Sequence, residues 1–145
     1  MAIKQLDVKG GESSPEFQAQ LKEFQDEAEF LIRLPEHPNV VALIGVTAPP
    51  NFWIVIEFLD NGSLYSLLHS EDKVEQQLQL SVILGMARGL AHLHKHNVIH
   101  RDFAARNILL GANYEAKISD FGLSRFGNAD DENKTKSDVG PIKVK

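Results

Sequence analysis

The chain has 145 residues, 43% of them apolar and 24% charged, with a formal net charge of −5 and no cysteine. That length is one ordinary domain with a real core, and the acidic balance leaves no basic stripe for nucleic acid. The absence of cysteine excludes a disulfide framework or a thiolate zinc site, and no apolar run approaches a membrane span or a signal peptide, so a soluble, cytoplasmic chain is expected.

Residues 1–6 read as a strand in which Ala2 and Lys4 share one face. Gly10-Gly11-Glu12-Ser13-Ser14 is a loop. Ser14 then caps a helix with Pro15 in its first position, where a missing N–H costs nothing. Phe17, Leu21, Phe24, Ala28 and Leu31 form its apolar seam, and Pro35 and Pro38 stop it near Leu34. Glu27 falls on the apolar side, beside Phe24 and Leu31, where a carboxylate is costly unless a cation meets it. Lys4 is the obvious cation.

Two strands are expected next, Val40–Val46 and Phe52–Phe58, joined by the turn Ala48-Pro49-Pro50-Asn51. Asp60-Asn61-Gly62-Ser63 is a turn and cap before a short helix, Leu64–His69. A longer helix from about Gln76 to His96 carries Ile83, Met86, Leu90 and Leu93 on one stripe. Val98-Ile99, Ile108–Leu110 and Ala116–Ile118 are short strands, the last two turning through Gly111-Ala112-Asn113. From Ser124 onward the chain is polar and reads as loop.

The chemistry concentrates in His100-Arg101-Asp102-Phe103-Ala104-Ala105-Arg106-Asn107 and in Asp120-Phe121-Gly122. A carboxylate that can deprotonate a hydroxyl, with an amide and a second carboxylate as hard oxygen ligands, is what magnesium-assisted phosphoryl transfer requires. The two runs resemble the H-R-D-L-x-x-x-N and D-F-G signatures of protein kinases, with Phe103 in place of Leu. Met1-Ala2-Ile3-Lys4 is similar to that family's Val-Ala-Ile-Lys.

The resemblance implies an α+β, two-lobe kinase fold, an ATP cofactor, Mg2+ and a protein substrate. It makes Asp102 the base, Lys4 the phosphate-binding amine, Glu27 its helix partner, and Asn107 and Asp120 the metal ligands. Ala-Ala-Arg at 104–106 resembles the tyrosine kinase group and its relatives, which adds Arg106 to the catalytic set. Arg101 is the position that in many kinases meets an activation-loop phosphate. Residues 54–64 resemble the last small-lobe strand and the hinge: Ile56 borders the adenine pocket, Glu57 and Leu59 offer backbone groups, and Ala2 and Leu109 sandwich the ring. His100 and Phe121 match a stacked apolar spine that Leu31 and Leu43 complete.

The same resemblance divides the chain into a small-lobe portion (residues 1–58), a hinge and large-lobe portion with the catalytic loop (residues 59–123), and an activation-loop segment (residues 124–145). A Gly-rich loop should precede Met1, and Val139-Gly140-Pro141-Ile142-Lys143 resembles the approach to the family's next segment, so the match covers the middle of a longer domain. Thr135 and Ser137 are the hydroxyls available for regulation. His92 and His96 are one helical turn apart, but no third ligand lies at convincing spacing, and His92, His94 and His96 read as the polar end of a helix. An isolated chain of this kind is expected to be unstable, or to pair with an intact kinase or the remaining large-lobe helices. The alternative function is a non-catalytic, nucleotide-binding regulatory module of pseudokinase type.

Overall fold

The Ser14 hydroxyl accepts a hydrogen bond from the Phe17 N–H at 3.1 Å, and Pro15 opens helix α1, Pro15–Arg33. In the computed structural model, which describes residues 1–6, 14–47, 51–71, 75–122 and 124–126, this helix packs on a small sheet. Its buried face carries Phe17, Phe24, Glu27, Phe30 and Leu31. Phe30 lies off the seam read from the sequence, because its neighbours in space come from a distant stretch of the chain. The loops expected at 10–13 and 48–50 lie outside the described residues, as do Thr135, Ser137 and residues 139–145.

Strands β1 (Ala2–Gln5), β2 (Leu43–Val46) and β3 (Trp53–Ile56) form an antiparallel sheet in the order β1-β3-β2. Lys4 lies opposite Ile54 and Ala2 opposite Ile56. β2 and β3 are shorter than the Val40–Val46 and Phe52–Phe58 expected. Val40 and Val41 turn instead to a second partner: Val40 bridges Ile118, and the Val41 N–H donates to the Ile118 carbonyl at 2.9 Å. Beyond β3 the Glu57 N–H still donates to the Ala42 carbonyl at 3.1 Å, while the Ala42 N–H donates to the Glu57 carboxylate at 2.7 Å.

Ser63 caps α2 (Leu64–Leu68) through the Ser66 N–H, and the preceding Gly62 takes φ 64°, a conformation that favours glycine. Helix α3 (Gln76–Lys95) follows, then β4 (Val98–Ile99), β5 (Ile108–Leu110), β6 (Ala116–Ile118) and β7 (Arg125–Phe126). β5 and β6 make one antiparallel pair and β4 and β7 another. β7 corrects the expectation of loop from Ser124. Two residues carry no readable period; they pair with β4, and next to them the Ser124 hydroxyl donates to the His100 carbonyl at 3.2 Å.

One continuous core runs from α1 through β3 to α3, β5 and β6, with Ile54, Leu93, Ile108, Leu110, Ile118 and Phe121 almost fully buried. α3 lays Val82, Gly85, Gly89 and Leu93 inward, with Met86 and Leu90 partly buried beside them. Ile83, expected on the buried stripe, is 56% exposed. The two glycines set the line of closest approach to β6, and a pattern built from large apolar residues misses them.

Leu80, Ile83 and Leu84 therefore form an uncovered apolar stripe, 60%, 56% and 49% exposed. Replacing all three with Gln should reduce self-association, measured by sedimentation at micromolar concentration, and leave the melting temperature unchanged. Unaltered self-association would show that the stripe does not drive it.

Candidate active site

β1 and α1 bring the first two site residues together. The Lys4 ammonium donates to the Glu27 Oε2, and the same nitrogen lies 3.9 Å from Asp120 Oδ1. Glu27 is 7% exposed, whereas the Lys4 and Asp120 side chains are about half exposed, at 50% and 52%. The pair thus has a buried carboxylate end and a wet amine end, and the amine faces a second carboxylate from the other side of the molecule. Asp120 takes φ 60°, a left-handed backbone that is uncommon outside glycine. Flanking contacts hold it there: the Ser119 N–H and hydroxyl both donate to the Asn107 carbonyl, at 2.8 and 3.0 Å, and Phe121 is buried.

The second cluster is the loop after β4. Arg101 sits at φ 65° and begins it. Asn107, buried at the end of a short 3-10 turn, donates from its amide nitrogen to the Asp102 carbonyl and to Asp102 Oδ2, each at 2.8 Å. Arg106 donates to Asp102 Oδ1. The Asn107 and Arg106 hydrogen bonds hold the Asp102 carboxyl below the usual carboxylate range. It is ionised throughout neutral pH and takes a proton only on acidification below 3.8.

His100 is hydrogen-bonded through both ring nitrogens. It is buried, donates from Nε2 to the Ser119 carbonyl at 3.0 Å and accepts the Asp102 N–H on Nδ1 at 3.3 Å. Those two bonds fix a neutral ring with its proton on Nε2. His100 packs against Phe121 at 5.3 Å between centroids, and Phe121 stacks on Phe30 at 5.2 Å. Leu31 is buried in the same core and Leu43 packs on its edge.

Residues 56–59, expected from the sequence to be the hinge, lie between the β1-β3-β2 sheet and the β5-β6 pair. Ile56 ends β3, and the connection docks on β5 through Asn61 N–H to the Leu110 carbonyl at 3.0 Å and Leu110 N–H to the Gly62 carbonyl at 2.8 Å. Among the described residues, neither the Glu57 carbonyl nor the Leu59 N–H has an internal hydrogen-bond partner. The Glu57 side chain, in contrast, is committed: Lys117 donates to both its oxygens at 2.7 and 2.8 Å. Ala2 faces Ile56 across one sheet, and Leu109 faces Lys117 across the other while bridging Ser63.

The donor set suits a hard divalent cation. Both hydrogens of the Asn107 amide point to Asp102, which leaves its oxygen free to coordinate, and the half-exposed Asp120 carboxylate is the second oxygen donor. Among the described residues no group of three His, Cys, Asp or Glu side chains is placed to hold a metal ion by itself. His92 lies in the last turn of α3, as the sequence leads one to expect, stacks on His37 and reaches the Pro35 carbonyl at 2.8 Å.

Sequence reasoning did not single out Ser119, Lys117 or Asn39. Ser119 had a signal, since it precedes Asp120 and its side chain is small and polar. Lys117 and Asn39 act on partners far away along the chain, and nothing local marks them.

Comparison with known proteins agrees with this geometry. The family model described as protein tyrosine and serine/threonine kinase matches residues 1–145. A probable serine/threonine-protein kinase of Dictyostelium discoideum is 44% identical over 124 residues, covering 84% of this chain and 13% of that protein. Ephrin type-B receptor 4 of Homo sapiens is 40% identical over 149 residues, covering 100% of this chain and 14% of the receptor. Serine/threonine-protein kinase CTR1 of Arabidopsis thaliana is 41% identical over 112 residues, covering 73% of this chain and 14% of the kinase. The chain spans under a third of the length of each of these curated relatives. With its α+β architecture and these matches, the chain belongs to the protein tyrosine and serine/threonine kinase family.

Proposed function

We propose that this chain carries the ATP site and catalytic loop of a kinase that transfers the γ-phosphoryl group of ATP to a protein hydroxyl. One observation carries the reading: Lys4, held by Glu27, comes within 3.9 Å of Asp120, and Asp102 is tied to Asn107 through the same loop system. Lys4 holds the ATP phosphates and Glu27 keeps its amine in place. Asn107 and Asp120 would hold Mg2+, which when bound offsets phosphate charge. Asp102 accepts the acceptor hydroxyl's proton as the oxygen–phosphorus bond forms and the bond to ADP breaks. Arg106 fixes the orientation of the Asp102 carboxylate.

The unpartnered Glu57 carbonyl and Leu59 N–H support adenine binding at residues 56–59, with Ile56 at the back and Ala2 and Leu109 on the two ring faces. Residues 1–58 then act as the small-lobe portion and 59–123 as the hinge and large-lobe portion, ahead of an activation segment at 124–145. The Ala-Ala-Arg run supports tyrosine or tyrosine-kinase-like serine/threonine acceptors, and the relatives' names divide the same way. The uncovered α3 stripe supports pairing with further helices or an intact kinase. No helix among the described residues is long and apolar enough to cross a membrane. ATP use and the absence of cysteine support a cytoplasmic setting.

The test is transfer of radiolabel from ATP to a mixed tyrosine and serine/threonine peptide pool. Lys4→Met should lower transfer by about 100- to 1,000-fold, the effect of deleting one charged donor at a reacting group. It also leaves Glu27 buried without its cation, at about 2–3 kcal/mol because water reaches the lysine side. The double variant Lys4→Met/Glu27→Gln should recover that stability without recovering transfer. Undiminished transfer by Lys4→Met would contradict the assignment.

A further inference from the structure

The segment between α1 and β2 is tied to β6 by three hydrogen bonds. The Asn39 side-chain amide donates to the Ala116 carbonyl at 2.9 Å, the Asn39 carbonyl accepts the Ile118 N–H at 3.0 Å, and the Val41 N–H donates to the Ile118 carbonyl at 2.9 Å. Ile118 is two residues before Asp120, so these bonds fix the strand from which Asp120 projects. α3 presses on the same point: a Cβ on Gly89 would stand 2.5 Å from the Asn39 carbonyl oxygen.

His37 holds this segment in shape. Its Nδ1 accepts the Asn39 N–H at 3.1 Å, and its carbonyl accepts the Val40 N–H at 3.0 Å. The first bond requires a neutral ring with no proton on Nδ1. The ring lies against His92 at 4.5 Å and 24° between planes, and His92 lies against His96 at 4.6 Å. His92 must keep its proton on Nε2, because that nitrogen meets the Pro35 carbonyl at 2.8 Å. The groups presented to His37 from α3 are Arg88 and His92, with His96 behind; on its own segment the neighbour is Glu36. Burial, His92 and Arg88, in that order, hold the His37 pKa below 6.5.

We propose that His37 is a positioning residue for Asp120 and that its hold is proton-sensitive: protonation of Nδ1 expels the Asn39 N–H and loosens the Asn39–Val41 grip on β6. The direction follows from linkage. A histidine whose folded pKa is lowered contributes stability that is complete above 6.5 and is lost as pH falls below that value. The consequence for catalysis rests on the reading of Asp120 as a phosphate and metal ligand; the consequence for β6 does not.

The experiment follows amide hydrogen exchange of Val41 and Ile118, corrected for intrinsic rates, between about pH 7.5 and pH 5.5. Protection should fall by about tenfold per pH unit once His37 titrates, while the Lys4 and Val55 amides keep theirs. His37→Asn supplies a side-chain oxygen in place of Nδ1 that accepts the Asn39 N–H and does not titrate. Its protection at Val41 and Ile118 should be independent of pH. The ring-proton titration of His37 in the unsubstituted chain, read together with the Val41 and Ile118 amide shifts, should give one shared midpoint below 6.5. Protection that ignores pH in the unsubstituted chain, or falls equally in His37→Asn, would overturn the proposal. MgATP affinity followed over the same range separates the two readings. Loss of affinity with acid in the unsubstituted chain alone supports the link to Asp120. Protection that responds to pH beside affinity that acid leaves unchanged would overturn that link, and absence of MgATP binding at every pH would count against the kinase site and not against the His37 hold.

Discussion

Asp102→Asn is expected to lower the rate of phosphoryl transfer by about 100- to 10,000-fold, the contribution of a positioned general base. The substitution removes the proton acceptor and one part-buried hydrogen bond, that from the Asn107 amide nitrogen to Asp102 Oδ2. The Asn107 amide keeps its 2.8 Å bond to the residue 102 backbone carbonyl, and the new side-chain oxygen still accepts from Arg106. The melting temperature and the apparent affinity for ATP should therefore stay close to those of the unsubstituted chain, which separates loss of chemistry from loss of fold. Titration of Asp102 itself should add no acid limb near neutrality to the rate profile of the unsubstituted chain, because Asn107 and Arg106 hold its pKa below the usual carboxylate range. A variant that transfers phosphate at the original rate would remove Asp102 from the mechanism.

Gly89→Ala should produce the largest loss of stability from a single methyl group. Its Cβ would meet the Asn39 carbonyl oxygen at 2.5 Å and the Ile118 Cδ1 at 2.8 Å. The isoleucine end can rotate, but the carbonyl cannot retreat, since it holds the Ile118 N–H at 3.0 Å. Overpacking of this kind costs about 1–3 kcal/mol, partly offset by the better helix propensity of alanine. The melting temperature should drop by about 3–10 °C for a domain of this size. Gly45→Ala is the control, because nothing lies within 4 Å of a Cβ there. Equal melting temperatures for the two variants would mean that α3 does not press on the Asn39 segment.

Gly89 also marks where sequence reasoning stopped, since nothing near it in the chain announces the Asn39 carbonyl. The α1 start was legible because Ser14 and Pro15 act on atoms three residues away. Glu27 was legible because a carboxylate on an apolar helix face demands a cation, and Lys4 supplies one. The short strands around Asp102 were legible from their β-branched residues and from the Gly111-Ala112-Asn113 turn. What stayed hidden depends on partners distant in the chain. Val40 and Val41 have the composition of a strand continuing into β2, yet they pair with Ile118. Phe30 looks like a residue beside the seam until Phe121 arrives from about ninety residues away to stack on it. The sequence points only to the Glu57 backbone, and its side chain anchors Lys117. In each case the local pattern left two faces or two partners open, and tertiary packing chose between them.

Calorimetric titration of ATP in the presence and absence of Mg2+, with the unsubstituted chain and with Asp120→Ala, tests the assembled site most directly. Lys4, Asn107 and Asp120 acting on one triphosphate require that Mg2+ tighten ATP binding in the unsubstituted chain and have little effect in Asp120→Ala. Equal ATP affinity with and without Mg2+, or the same Mg2+ response in both proteins, would contradict the account.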